Sequence, residues 1–288
     1  MSYRKALKDA ERFLEQASVP DAGIDAWYLM EYVLKQNGIS DAGRSWYFLH
    51  CEEEMPENCQ VAYQKLLKKR GERIPLQQLT GEQEFMGISF LVNKHVLIPR
   101  QDTEVLVEQV LSVAKPGMKV LDVCTGSGCI IISTALLCPG IEGTGTDLSG
   151  EALKVAEENN RRQNAGVYFL QGDLLEKAEA PYDVIVSNPP YIPTKTIETL
   201  MEEVKDHEPL MALDGMEDGL HFYRRLAEES PAYLKSEGWL MLEIGAEQGE
   251  DVKNLLEMAG FCNVTVKKDL AGLDRVVCGQ KPPVLESV

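Results

Sequence analysis

Asn188-Pro189-Pro190-Tyr191 places a carboxamide directly after the apolar run Asp183-Val184-Ile185-Val186-Ser187. A β-branched run that ends in two prolines predicts a buried strand stopping at the sheet edge, because proline cannot donate to a ladder. The chain then leaves as a stiff, extended loop that fixes the Asn188 side chain and the carbonyls beside it. A carboxamide oxygen and a neighbouring carbonyl are two acceptors aimed at one point, which suits a planar NH2 group. A bare Asn-Pro would be only a strand-end turn. Here, other strand ends carry matching groups.

Val120-Leu121-Asp122-Val123 runs into Cys124-Thr125-Gly126-Ser127-Gly128, followed by Cys129-Ile130-Ile131-Ile132-Ser133-Thr134-Ala135. This reads as a strand, a tight turn and a helix start. Glycines in such a turn let backbone N–H groups approach a ligand, although a lone Gly-x-Gly also fits a plain βα connection. A second strand, Ile141 to Asp147, ends in an acid about 20 residues after the glycine loop. Doubly wound nucleotide folds place there the carboxylate that accepts ribose hydroxyls. A third, from Val167, ends at Asp173 with Leu174 beyond it. Ligands in such sheets lie outside the carboxyl ends of the strands. Four strand ends are therefore predicted to converge on one pocket.

The glycine loop, Asp147, Asp173 and Asn-Pro-Pro-Tyr, in this order, resemble class I S-adenosylmethionine-dependent methyltransferases that methylate amino groups. Further blocks narrow the resemblance: Pro75-Leu76-Gln77-Gln78-Leu79-Thr80-Gly81, Glu84-Phe85-Met86-Gly87 and Leu97-Ile98-Pro99-Arg100-Gln101-Asp102-Thr103-Glu104 before the loop, and Glu208-Pro209-Leu210-Met211-Ala212-Leu213-Asp214-Gly215, Asp218-Gly219-Leu220 and Asp269-Leu270-Ala271-Gly272-Leu273-Asp274-Arg275 after it. Together they resemble the release factor glutamine methyltransferases over about residues 70 to 280. The resemblance implies a Rossmann-like domain, S-adenosylmethionine as methyl donor and S-adenosylhomocysteine as product. It implies cofactor contacts at Cys124, Thr125, Gly126, Ser127, Gly128, Asp147, Asp173, Leu174 and Asn188. Catalysis would fall to Asn188, Pro189, Pro190 and Tyr191, with Phe85 and Arg100 adding substrate contacts. Two positions depart from the family. Cys124 stands where glycine is usual, so no requirement for a positive φ is assumed there, and Gln101 replaces a proline after Arg100.

Charge and composition limit the alternatives. Of 288 residues 44% are hydrophobic, enough for real cores. Residues 1–75 hold 11 Lys+Arg and 12 Asp+Glu, whereas the rest hold 18 and 34, so the net charge of −17 lies almost wholly in the second part. A part that acidic repels a phosphate backbone and suits a substrate with a basic surface, although solubility alone explains the acidity as well. No apolar stretch approaches the ~20 residues of a membrane span, and the first residues lack the apolar core of a signal peptide. Seven scattered cysteines without a C-x-x-C pair read as free thiols of a cytoplasmic protein. His50, His95, His207 and His221 have no metal-ligand spacing, so no metal is expected.

Three parts position the predicted site. Residues 1–75 carry apolar positions at helical spacing, interrupted at 21–24, 37–43 and 56–58, which predicts a small bundle of four or five helices. Lys65, Lys68, Lys69, Arg70 and Arg73 form its one basic cluster, read as a solvated face or a partner contact. Residues 76–98 are predicted to be a connecting β-hairpin. Residues 99–288 are predicted to form the α/β methyltransferase domain, closing with helices at 219–234 and 247–258 and strands at 239–244, around Val264 and around Val276.

The chemistry follows from amide electronics. A primary amide nitrogen is a poor nucleophile because its lone pair is delocalised, and the ~18–20 kcal/mol rotation barrier of a peptide bond gauges how strongly. The Asn188 oxygen and the Pro189 carbonyl could hold both N–H hydrogens and leave the lone pair aimed at a methyl group. Tyr191 and Phe85 would wall the slot. Three functions compete at this point: a protein-glutamine methyltransferase acting on release factors, an adenine-type nucleic-acid methylase, and a non-catalytic S-adenosylmethionine-binding module. The acidity of the second part weighs against the nucleic-acid reading, and an intact acceptor pair is unexplained by the non-catalytic one.

Overall fold

The computed structural model describes residues 1–179 and 181–283. The chain forms two compact units, one of Met1–Gly81 with Met201–His207 and one of Glu82–Leu200 with Glu208–Val288. Five helices open the chain: α1 (Tyr3–Gln16), α2 (Ala22–Gln36), α3 (Arg44–His50), α4 (Glu57–Gly71) and α5 (Leu76–Thr80). In α1 the buried Tyr3, Ala6, Ala10 and Leu14 fall at helical spacing, and the Ser2 hydroxyl accepts the Lys5 N–H at 3.3 Å as an N-cap. The segment predicted as one hairpin linker divides. Residues 76–80 form α5 of the helical unit, while β1 (Glu82–Phe85) and β2 (Ile88–Leu91) belong to the second unit. Met86 and Gly87, at φ 53° and 72°, make the two-residue turn that pairs Phe85 with Ile88.

The second unit continues with α6 (Glu104–Val113), β3 (Lys119–Val123), α7 (Cys129–Leu137), β4 (Glu142–Asp147), α8 (Gly150–Gln163), β5 (Tyr168–Gln171), β6 (Tyr182–Ser187) and α9 (Thr194–Ile197). After α10 (Glu202–Lys205), which lies in the part of the helical unit inserted here, come α11 (His221–Glu229), β7 (Leu234–Glu243), α12 (Gly249–Met258), β8 (Cys262–Lys268) and β9 (Asp274–Gln280). The helix predicted to reach residue 234 ends at 229. A 3-10 turn containing Pro231 follows, and β7 starts at Leu234. The seven strands run β5-β4-β3-β6-β7-β9-β8, parallel except for β9.

Alternation sets the two faces of this sheet. Val120, Val184, Val186 and Met241 pack with Leu106, Val107 and Val110 of α6 and Ile130 and Ile131 of α7. Leu121, Val123, Ile185, Leu240 and Leu242 pack with Tyr223 and Leu226 of α11 and Val252 and Leu256 of α12. Strand order reverses between β3 and β6, so a crevice opens at their carboxyl ends.

The helical unit has its own core, in which the Tyr63 hydroxyl donates to the Ala26 carbonyl at 2.7 Å. It also buries ions. Arg70 Nε lies 2.6 Å from Asp25 Oδ2, Arg70 Nη2 lies 2.9 Å from Glu203 Oε1, and Arg73 Nε lies 2.7 Å from the same oxygen. The basic cluster predicted as one face is therefore split. Lys65, Lys68 and Lys69 are exposed, while Arg70 is buried because Asp25 and Glu203 neutralise it.

Candidate active site

A cavity of about 500 Å³ opens in the second unit at the carboxyl ends of the parallel strands, within the usual size range of small-molecule sites. Its floor is the turn after β3. Cys124 there takes φ 60°, a left-handed backbone although the residue is not glycine. The chain must reverse at once, because the Thr125 N–H donates to the Thr146 carbonyl at 2.9 Å and its hydroxyl to Asp122 Oδ2 at 2.6 Å. A side chain at that φ costs about 1–2 kcal/mol. Gly128, at φ 80°, starts α7, and a Cβ there would lie 2.9 Å from Ile132 Cδ1 and 3.2 Å from the Ala156 Cβ.

Asp147 ends β4 and lines the cavity. Its Oδ2 accepts the Gly126 N–H at 2.9 Å and its Oδ1 the Ser149 N–H at 2.8 Å, so the carboxylate is held rigidly with further acceptor capacity on each oxygen. Burial raises its pKa, and these backbone N–H groups offset part of the rise. Cys124, Thr125, Gly126 and Ser127 also line the cavity. Burial pushes the Cys124 thiol far up, with Asp147 and Asp122 adding to the effect, so it stays protonated. Beyond β5, Asp173 reaches the cavity, but both of its oxygens accept from Arg225 Nη1, at 3.0 and 2.9 Å. Leu174, at φ 50° and buried, supplies an apolar wall.

Asn188 leaves β6, anchored by the Ser187 hydroxyl donating to the Val123 carbonyl at 2.6 Å. Asn188 and Pro190 line the cavity, whereas Pro189 and Tyr191 are not among the lining residues. Tyr191 packs instead beside the core formed by α11 and α12, where burial and then Glu243 push its hydroxyl up to about 12. The loop is sewn to residues 213–216: Ile192 N–H donates to the Leu213 carbonyl at 3.0 Å and Gly215 N–H to the Ile192 carbonyl at 2.9 Å. A Cβ on Gly215 would sit 2.8 Å from the Tyr191 backbone, so only glycine allows the approach. Arg100 lines the cavity and pairs with the buried Glu208.

The structure does not bring Phe85 to the cavity. It is 1% exposed and packs edge-on against Phe90, with ring centroids 6.1 Å apart. Its position before a hairpin turn makes it a lid over α6 and α7 rather than a wall of the slot. Sequence reasoning also gave no role to three residues behind the site. Asp122 and Glu243 are carboxylates at strand ends, each pushed up to about 7 chiefly by burial, and each keeps one oxygen without a hydrogen-bond partner among the described residues. Thr103 Oγ1 faces Asn188 Nδ2 at 3.5 Å. An acid inside an otherwise apolar strand, as in Val120-Leu121-Asp122-Val123 and Leu240-Met241-Leu242-Glu243, was the available signal.

Among the described residues no cluster has metal-binding composition, and no helix is long and apolar enough to cross a membrane. Residues 5–81 match the model of the PrmC N-terminal domain, and residues 101–206 that of the methyltransferase small domain. The chain is 39% identical over 282 residues to the release factor glutamine methyltransferase of Geobacter sulfurreducens, covering 97% of this chain and 96% of that protein. It is 40% identical over 284 residues to the protein of that name from Clostridium acetobutylicum, covering 96% and 98%. A solved methyltransferase from Pyrococcus furiosus shares the fold, with a TM-score of 0.53 at 19% identity over 69% of this chain and 91% of that one.

Proposed function

The chain belongs to the release factor glutamine methyltransferase family, and we propose that it transfers a methyl group from S-adenosylmethionine to the side-chain amide nitrogen of a glutamine, in the Gly-Gly-Gln loop of a peptide chain release factor. The observation that carries this reading is a single cavity lined by the glycine loop, Asp147 and Asn188, at the reversal point of the sheet. The residues fit the cofactor. Asp147 retains acceptor capacity on both oxygens for a pair of ribose hydroxyls, the backbone of residues 124–128 offers N–H groups, and Leu148, Leu174 and Ile130 give apolar walls for a base. When bound, S-adenosylmethionine supplies a methyl group already activated on a sulfonium, so the protein needs to provide position and polarity.

Asn188 does the positioning, with the backbone carbonyl of Pro189, the residue between the cavity-lining Asn188 and Pro190, as the second acceptor. Asn188 lines the cavity and acts there through Oδ1, the acceptor end of its amide. Oδ1 and the carbonyl accept the two N–H hydrogens of the substrate amide, and its nitrogen lone pair is then directed at the methyl group. Holding the amide in this geometry contributes the large effective concentration of oriented reactants. The nitrogen becomes acidic as it is alkylated, so a water takes the released proton. Arg100, fixed by Glu208, braces the loop that carries Leu210 and Met211 at the cavity mouth. Release factors work in the cytoplasm, and the acidity of residues 76–288 supports a protein rather than a nucleic acid as substrate.

The test is transfer of labelled methyl from S-adenosylmethionine to a purified release factor and to the same factor with its Gly-Gly-Gln glutamine replaced by alanine. Label in the first and none in the second is expected. Label in a cell extract that disappears on nuclease treatment, with none on the factor, would move the activity to nucleic acid.

A further inference from the structure

Glu243 ends β7, whose Leu242 pairs with Ser187 of β6, so it stands beside the residue that leads into Asn188. It is 2% exposed, does not line the cavity, and its Oε2 has no hydrogen-bond partner among the described residues. After burial, which disfavours the ion, the groups acting on this carboxyl are the Thr103 hydroxyl, the Arg275 guanidinium and the Asn188 amide, all favouring the ionised form, and Asp102, which opposes it. Asn188 can present either end of its amide to the cavity. Its 3.5 Å contact from Nδ2 to Thr103 Oγ1 is too long to fix that choice, and a hydroxyl accepts or donates equally. An ionised carboxylate accepts only, so the amide must turn its NH2 toward it.

We propose that Glu243 is the positioning residue that holds the Asn188 amide with its oxygen facing the cavity. The proposal rests on the reading of Asn188 as the acceptor for the substrate amide. It carries a pH dependence. The titratable and charged groups around Glu243 are Asp102 before α6, Cys129 at the start of α7, Tyr191 after β6, Tyr223 on α11, whose hydroxyl donates to the Glu243 carbonyl at 2.8 Å, and Arg275 on β9. Burial brings the Glu243 carboxyl to about 7, so its proton is exchanged around neutral pH. Once protonated it can donate to the Asn188 oxygen, and the selection between amide ends is lost.

The experiment measures the saturated rate of release-factor methylation from pH 5.5 to 8.5 for the wild type, Glu243→Gln and Glu243→Asp, with calorimetric binding of S-adenosylmethionine to each. The wild-type rate should rise through a midpoint near 7. Glu243→Gln should bind the cofactor and show a KM for the factor both within about threefold of wild type, while its kcat falls roughly ten- to hundredfold and loses the rise. Glu243→Asp, which keeps the charge, should recover part of the rate and the rise. A Glu243→Gln enzyme with wild-type kcat and an unchanged pH rise would overturn the proposal. So would a wild-type rate that is flat across the range, which covers the case of a variant that fails to fold. No transfer to the factor by the wild type would instead overturn the reading of the site, and the proposal with it.

Discussion

Asn188, Asp147 and the glycine loop were legible because each lies at the end of a short apolar run, where strand and turn signals are local. Their substitutions have defined outcomes. Asn188→Ala removes one of two acceptors, and its saturated rate should fall by ~10²–10³, the usual cost of one preorganised group; single-turnover kinetics at saturating cofactor and factor would read it. Asp147→Asn should weaken S-adenosylmethionine roughly ten- to hundredfold without unfolding, since a hydrogen bond to a charged acceptor contributes ~1.5–3 kcal/mol. Calorimetry on the folded variant decides it. Phe85 was not legible, because an aromatic before a turn looks the same whether it walls a slot or covers a core. The backbone of Cys124 was not legible for the opposite reason: its φ of 60° is imposed by Thr125 and Thr146, contacts that no local pattern reveals. A β-branched side chain tolerates that backbone least. Cys124→Val should therefore be less stable than Cys124→Gly by more than about 1 kcal/mol in urea unfolding, although valine fills more of the space.

Among the elements, the central strands and their helices follow from alternation and from runs buried on both faces, and these residues carried most of the fold. The membership of Met201–His207 in the helical unit could not be read, since a seven-residue segment has no periodicity and its partners lie about 130 positions away. Arg70 holds the explanation. Its side chain is 5% exposed, and a guanidinium so buried requires acids on more than one side. Glu203 provides the second acid beside Asp25: burial works against its ionised form, but Arg73, backbone and Arg70 contacts hold its carboxyl down at about 2. Glu203→Ala leaves Arg70 with Asp25 alone and should destabilise the helical unit by ~3 kcal/mol, the low end for breaking a buried pair. Fluorescence of Trp27 and Trp46 in a Trp239→Phe background reports that unit by itself, and a midpoint shift near zero would show that the cluster is solvated in solution.

At the scale of the whole molecule, the net charge of −17 and the buried carboxyls act on stability in the same direction as pH rises. Asp122 and Glu243 ionise at about 7 in the folded chain, against 3.8 and 4.5 in their ordinary states, with burial the main cause in both. A carboxyl whose folded pKa is raised binds its proton more tightly in the native state. The stability it gives is fully present below the unfolded pKa and is lost as pH climbs through the folded one. The window is therefore from about pH 4 to 7, and the loss is of the order of a few kcal/mol. Glu203 has the reverse sign, since its depressed pKa gives stability that disappears only as pH falls from 4.5 toward 2. Urea unfolding of the second unit, followed by Trp239 in a Trp27→Phe/Trp46→Phe background, should give midpoints that fall between about pH 5 and 7 and level off above. General charge repulsion would produce a similar slope but is screened by salt, whereas ionisation of a buried carboxyl is not. Glu243→Gln should accordingly flatten the slope at 0.5 M salt and gain on the wild type above pH 7, and an unchanged slope in that variant would assign the loss to surface charge instead.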